Sequence, residues 1–229
     1  MKVAYPILCS LFCFCSVLGC GKEDPKYANI GTLYAQANYA VKNAQTDTNK
    51  ANPTRQNIEA KLKQMSKDEI FQFALACGNQ GNYSEALAAY NEILENDTRY
   101  PRIYYYLGLL YRDMGLQGEA ICAFQTDLAQ NPPGSPETHY NLGYAYQSKG
   151  LYSDATNEYK QSLHFIPANK TLQRANIHYN LGDVYFSSGA FDEAINEYKK
   201  ALGFKPEDKA LQKKLGLAYR AKGLDKKGK

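Results

Sequence analysis

The sequence predicts an all-α fold: a right-handed superhelical solenoid of helix-turn-helix repeats closed by a C-terminal capping helix. Three observations carry this. A Leu-Gly pair recurs at Leu107-Gly108, Leu142-Gly143, Leu181-Gly182 and Leu215-Gly216, each followed by a tyrosine (Tyr111, Tyr146, Tyr185, Tyr219) and then a second glycine (Gly115, Gly150, Gly189, Gly223). After the first three of these come an alanine and an aromatic four residues on, at Ala120 and Phe124, Ala155 and Tyr159, and Ala194 and Tyr198. Each such unit ends at a proline, Pro132, Pro167 or Pro206. One hairpin cannot bury its own apolar faces, so repeated hairpins must stack.

The elements follow in order. Residues 1–19 read as an export signal: Lys2 is the positive charge, Val3 to Leu18 is almost unbroken apolar sequence, and the stretch is too short for a spanning helix. It ends in Val17-Leu18-Gly19-Cys20, which resembles the lipobox of bacterial lipoproteins. The resemblance implies cleavage before Cys20, a diacylglycerol on its thiol and an acyl chain on the new amino group. Several chains, each buried CH₂ worth roughly 0.8 kcal/mol, hold a protein firmly on a membrane. Gly21 is not the aspartate that marks inner-membrane retention in that family, which implies an outer-membrane address in the cell envelope. The alternative is an ordinary secretory signal with an incidental cysteine. Residues 20–54 form a linker or stalk whose Tyr27, Ile30, Tyr34, Ala37 and Val41 mark an amphipathic helix over 26–44. That helix either lifts the array off the bilayer or docks on the array or a partner. A polar break ending in Asn52-Pro53-Thr54 precedes a lead-in helix over 55–66.

The array itself occupies 67–229. Ser66-Lys67-Asp68-Glu69 is a capping box at its start. The repeats fall at 67–100, 101–134, 136–169 and 175–208, with the capping helix over 209–229, and Ala86, Ala120 and Ala155 are spaced by 34 and 35 residues. This pattern resembles the tetratricopeptide repeat (TPR), and the resemblance runs from about Lys67 to Lys229. The family's usual tryptophan is Ile70, Tyr104, His139 or His178 here, and about five extra residues at Ala168 to Arg174 interrupt the third junction. Tyr104, Leu107, Gly108 and Tyr111 share one helical face, as do Ala120, Ile121, Phe124 and Leu128 on the partner helix. Small Gly108 and Ala120 are expected to let the two backbones approach. Gly115 supplies the left-handed cap that ends the first helix, and proline prevents the second from running on. On the last helix Lys213, Lys214, Arg220 and Lys222 are expected to solubilise the open end.

In such an array the first helices line the concave wall. Residues left over from the core stripe then face a groove: Tyr105, Tyr106, Leu109 and Arg112, then Tyr140, Asn141 and Tyr144, then Tyr179, Asn180 and Asp183, with Lys213 and Lys214 continuing the line. Asparagine amides can donate to and accept from a peptide backbone while tyrosine rings cover its side chains, so this groove is the expected peptide-binding site. The family's chaperone-tail binders clamp a terminal carboxylate with Lys, Asn and Arg. Here Asn141 and Asn180 match only the asparagine element, and that specificity is not carried over.

Other function classes are poorly served. Net charge is +4 with both signs mixed along the chain, which lacks the concentrated basic stripe of a nucleic-acid binder. His139 and His178 sit at matching positions in successive repeats, about 8–10 Å apart by helix packing, too far to share a zinc ion. They read as packing residues, and no metal or cofactor is expected. No phosphate loop, nucleophile elbow or His-Glu-x-x-His helix occurs. Beyond Cys20, only Cys77 and Cys122 remain in the body, buried packing thiols or a disulfide pair. Glu158 reads as outer surface. The expectation is a non-enzymatic, lipid-anchored scaffold binding a protein or peptide partner. The rivals are a surface-exposed lipoprotein engaging host molecules and a glycan- or peptidoglycan-binding envelope protein.

Overall fold

A computed structural model describes residue 58 and residues 60–227, with side chains through residue 223. The expected export signal, the expected lipidation at Cys20, the expected 26–44 helix and the start of the expected lead-in helix fall outside the described residues. After the end of the lead-in helix, the described chain is nine α-helices with no strand: α1 Lys67–Asn79, α2 Tyr83–Asn96, α3 Ile103–Asp113, α4 Gln117–Gln130, α5 Pro136–Ser148, α6 Tyr152–Phe165, α7 Thr171–Ser187, α8 Phe191–Phe204 and α9 Lys209–Lys227. None is long and apolar enough to cross a membrane.

The helices pair as consecutive hairpins, α1 with α2 through α7 with α8, and each second helix also packs on the next first helix. Consecutive first helices touch as well, α3 with α5 and α5 with α7. First helices therefore crowd together on the inner side of the solenoid. Buried apolar groups run along the array in succession and do not converge on one centre.

The lead-in helix ends before the expected residue 66. It is helical only through Leu62, which is buried in the first core cluster, and the Gln64 and Met65 amides then turn back to Lys61 and Leu62. That turn presents Ser66 as the N-cap of α1. The capping box forms: Ser66 Oγ accepts from the Glu69 amide, and the Ser66 amide donates to Glu69 Oε2 at 2.8 Å. These bonds from Ser66 hold the Glu69 carboxyl below its ordinary range.

Glycine acts at two kinds of place. Gly115 has φ +77° and turns the chain from α3 into α4. Gly108, by contrast, sits inside α3 beneath the Phe124 ring; a Cβ there would stand 2.5 Å from the ring edge. Gly143 lies beneath Tyr159 and Gly182 beneath Tyr198 in the same way. The glycine thus makes room for an aromatic ring and not for a bare backbone contact.

The extra residues at the third junction do not interrupt it. They lengthen α7, which begins at Thr171 and spans 17 residues against 13 in α5. Within that added turn the Arg174 guanidinium donates to the Leu163 and Ile166 carbonyls, each at 3.3 Å, and so caps the end of α6. The fourth repeat therefore starts before residue 175.

His139 and His178 behave as repeat-equivalent packing residues. His139 stacks on Phe165 and bonds Glu158 through Nδ1 at 2.7 Å; His178 stacks on Phe204 and bonds Glu197 at 2.6 Å. Glu158 is consequently half-buried between helices and is not a free surface carboxylate. No disulfide joins Cys77 to Cys122, and burial pushes the Cys77 thiol upward.

Candidate peptide-binding wall

The first-helix wall begins with an aromatic cluster. Phe71 on α1 meets Tyr106 on α3 edge-to-face at 5.0 Å, Tyr106 meets Tyr105 at 5.2 Å, and Phe71 also contacts Tyr100 at 5.3 Å. Tyr100 donates to Asp68 at 2.7 Å, and its phenol is pushed up to about 12 by burial and that carboxylate. Phe71 and Tyr100 are absent from the sequence-based set. Phe71 could have been found by register, since it stands 34 residues before Tyr105, which matches Tyr140 and Tyr179 in later repeats.

Arg102 opens α3 in the left-handed region at φ 57°, alone among non-glycine residues described. That conformation costs roughly 1–2 kcal/mol for a residue with a Cβ. Its guanidinium is held on two sides, 4.1 Å over the Tyr105 ring and 3.2 Å from Ser135 Oγ at the start of α5. Leu109 is half-buried against the first core cluster.

Farther along, side chains of successive first helices bond to one another. Arg112 Nη1 on α3 donates to Asn141 Oδ1 on α5 at 2.6 Å. Asn180 Nδ2 on α7 donates to Tyr140 Oη on α5 at 2.9 Å. Lys214 Nζ on α9 donates to Asp183 on α7 at 2.9 Å, and Asp183 also accepts from the Tyr198 hydroxyl at 2.5 Å. Burial works against the charged form of Lys214, but the Asp183 bond and charge outweigh it and raise the amine above its ordinary value. Burial, with help from Asp183, pushes Tyr179 and Tyr198 upward, so both phenols stay neutral at physiological pH.

The sequence-predicted set is therefore brought onto one wall, but its members are not equally available. Asn141 and Asn180 are buried, and Asn141 Nδ2 also donates to the Glu137 carbonyl at 2.8 Å. Burial pushes the Tyr159 phenol up, and a further bond from the Asn180 amide to its hydroxyl works against that push, so only Asn141 keeps a second N–H for a ligand. Tyr144 is the open element, 44% exposed in the middle of the wall. Lys213 is exposed at its far end. The Tyr105 and Tyr179 rings each have a cation over one face, Arg102 and Lys214 respectively. Among the described residues no group of three His, Cys, Asp or Glu could hold a metal ion.

Comparison with known proteins agrees with this architecture. Sequence models described as tetratricopeptide repeat match residues 71–136 and 136–169, and one described as TPR repeat matches 182–223. Together they take in more than half of the chain. No curated protein matches. Among solved structures, one titled crystal structure of MamA protein superposes with a TM-score of 0.63 at 27% identity, covering 70% of this chain and 85% of that one. A second MamA crystal structure gives a TM-score of 0.60 at 29% identity, covering 66% and 85%. A MamA RS-1 double mutant gives 0.62 at 22% identity over 69% and 86%, a likeness of fold alone.

Proposed function

The chain belongs to the tetratricopeptide repeat family, whose members are protein-interaction scaffolds, and from that premise we propose that it holds an extended peptide segment of an envelope partner along its first-helix wall. The observation that carries this reading is the arrangement around Tyr144. Exposed Tyr144 stands one turn from buried Asn141 on the same helix, and Asn141, held by Arg112 and the Glu137 carbonyl, keeps one amide donor. A peptide backbone accepts from such a donor while the ring covers its side chain. Sugar stacking is served less well, because cations already sit over Tyr105 and Tyr179.

The lipid anchor belongs to the same proposal. Cys20, preceded by Val17-Leu18-Gly19, would carry the array on a bacterial envelope membrane, with the outer membrane as its address. Incorporation of labelled palmitate that is lost in Cys20→Ser is the expected result.

The groove is tested by a photoreactive residue at position 144, crosslinked in intact envelopes and read by mass spectrometry. The comparison site is Lys160, exposed on α6. A protein captured from 144 and not from 160 supports the wall. Equal capture from both, or none from 144, overturns it.

A further inference from the structure

In α3, α5 and α7 a glycine is roofed by an aromatic ring from the following helix: Gly108 by Phe124, Gly143 by Tyr159, Gly182 by Tyr198. The ring always stands four residues after an alanine of zero exposure, Ala120, Ala155 or Ala194. Helix α9 repeats the first-helix signature in full, Leu215-Gly216 followed by Tyr219 and Gly223. Yet nothing lies within 4 Å of where a Gly216 Cβ would stand. Beside it Leu217 is 36% exposed. It holds the register of Leu109, in the hairpin whose roof is phenylalanine.

The charge around this slot has one sign. Between Lys209 and Gly223 α9 carries five basic residues and no acid. Lys214 and Lys222 reach back to Asp183 and Asp192 of the preceding hairpin. Lys209, Lys213 and Arg220 stay exposed and fall on the same helical stripe as Gly216. A second α9 seated here would bring like charges together, so the face does not suit another copy of itself.

We propose that the Gly216 face of α9 docks an acidic amphipathic helix of a partner protein, which sets an Ala-x-x-x-Phe pair over Gly216 and Leu217 as α4 does over α3. This site takes in the far end of the first-helix wall at Lys213 but not Tyr144, and either can fail alone.

The probe is an acetylated, amidated peptide with the sequence of residues 117–130, which carries Ala120 and Phe124, the acids Glu119 and Asp127, and no Lys or Arg. Its labelled form is titrated with the full chain and followed by fluorescence anisotropy. Saturable binding is expected, weakened by about tenfold or more when Phe124 of the peptide is alanine, since an aromatic anchor carries much of such an interface. Gly216→Leu in the protein should weaken it as much without lowering the melting temperature, because the slot is empty. Tyr144→Ala should leave it unchanged, and added salt should weaken it. Absence of saturable binding, or binding indifferent to Gly216→Leu, overturns the proposal. So would concentration-dependent self-association that Gly216→Leu abolishes, which would assign the face to a second copy.

Discussion

The same substitution, glycine to alanine, should have opposite effects at two equivalent positions. At Gly182 the new Cβ would meet Cδ1 and Cε1 of Tyr198 at 2.5 Å, whereas carbon atoms rest at roughly 3.5–4.0 Å. The ring must withdraw by about 1 Å, and it has nowhere to go. Tyr198 has zero exposure, and its hydroxyl is tied to Asp183 at 2.5 Å. Overpacking of this kind costs about 1–3 kcal/mol. Loss of a hydrogen bond to a charged group adds about 1.5–3 kcal/mol if the ring gives way. Against this, alanine is favoured over glycine inside a helix by about 1 kcal/mol. With the hydrogen bond lost, the net expectation for Gly182→Ala is about 1.5–5 kcal/mol of destabilisation. At Gly216 only the helix term remains, because nothing lies within 4 Å, and the variant should gain up to about 1 kcal/mol. Urea unfolding followed by circular dichroism and tyrosine fluorescence measures both, the chain having 20 tyrosines and no tryptophan. Gly182→Ala at or above the parent's stability would refute the roofed-glycine account.

Other expectations concern the polar contacts. The His139 imidazole, which burial alone would push down, is held above its ordinary 6.5 by the Glu158 bond, with the Pro133 carbonyl adding to it. Its stabilising effect is therefore complete below pH 6.5 and fades as pH rises through the elevated folded value; NMR titration should show a midpoint above 6.5 that falls in Glu158→Gln. Glu197 runs the other way: burial raises it, but bonds from His178 and Lys200 bring it below 4.5, so its contribution is present above pH 4.5 and lost on further acidification. Glu197→Gln should flatten that acid limb in a stability-versus-pH series. Asn141→Ala removes the Arg112 bond between α3 and α5, at a cost of about 1–2 kcal/mol by urea unfolding, with helix content unchanged.

Repetition explains why so much of the fold could be read from sequence. Gly108, Ala120 and Phe124 mean little singly, but their recurrence in register admits one architecture. The third junction looks interrupted in the sequence because spacing counts residues and not their conformation. Inserted residues between repeats look like a break, and only the Arg174 bonds to α6 make them a helical turn. Position on the wall was similarly readable, since helical period assigns a face. Availability was not. The Asn141 and Asn180 amides and the Lys214 amine are engaged by residues 29, 40 and 31 positions away, pairings that follow from the stagger of neighbouring hairpins. Glu158 reads as surface in the sequence for the same reason, its histidine partner standing on the preceding helix.

The chain of bonds Arg112–Asn141, Tyr140–Asn180 and Asp183–Lys214 has a mechanical meaning. Each fastens one step of the helical staircase to the next on its inner edge, where a small change in spacing becomes a change in pitch. Because every hairpin touches only its neighbours, such changes add along the axis. A ligand that displaced these bonds would loosen the inner edge step by step, and the array would answer as a spring does, by altering the distance between its two ends.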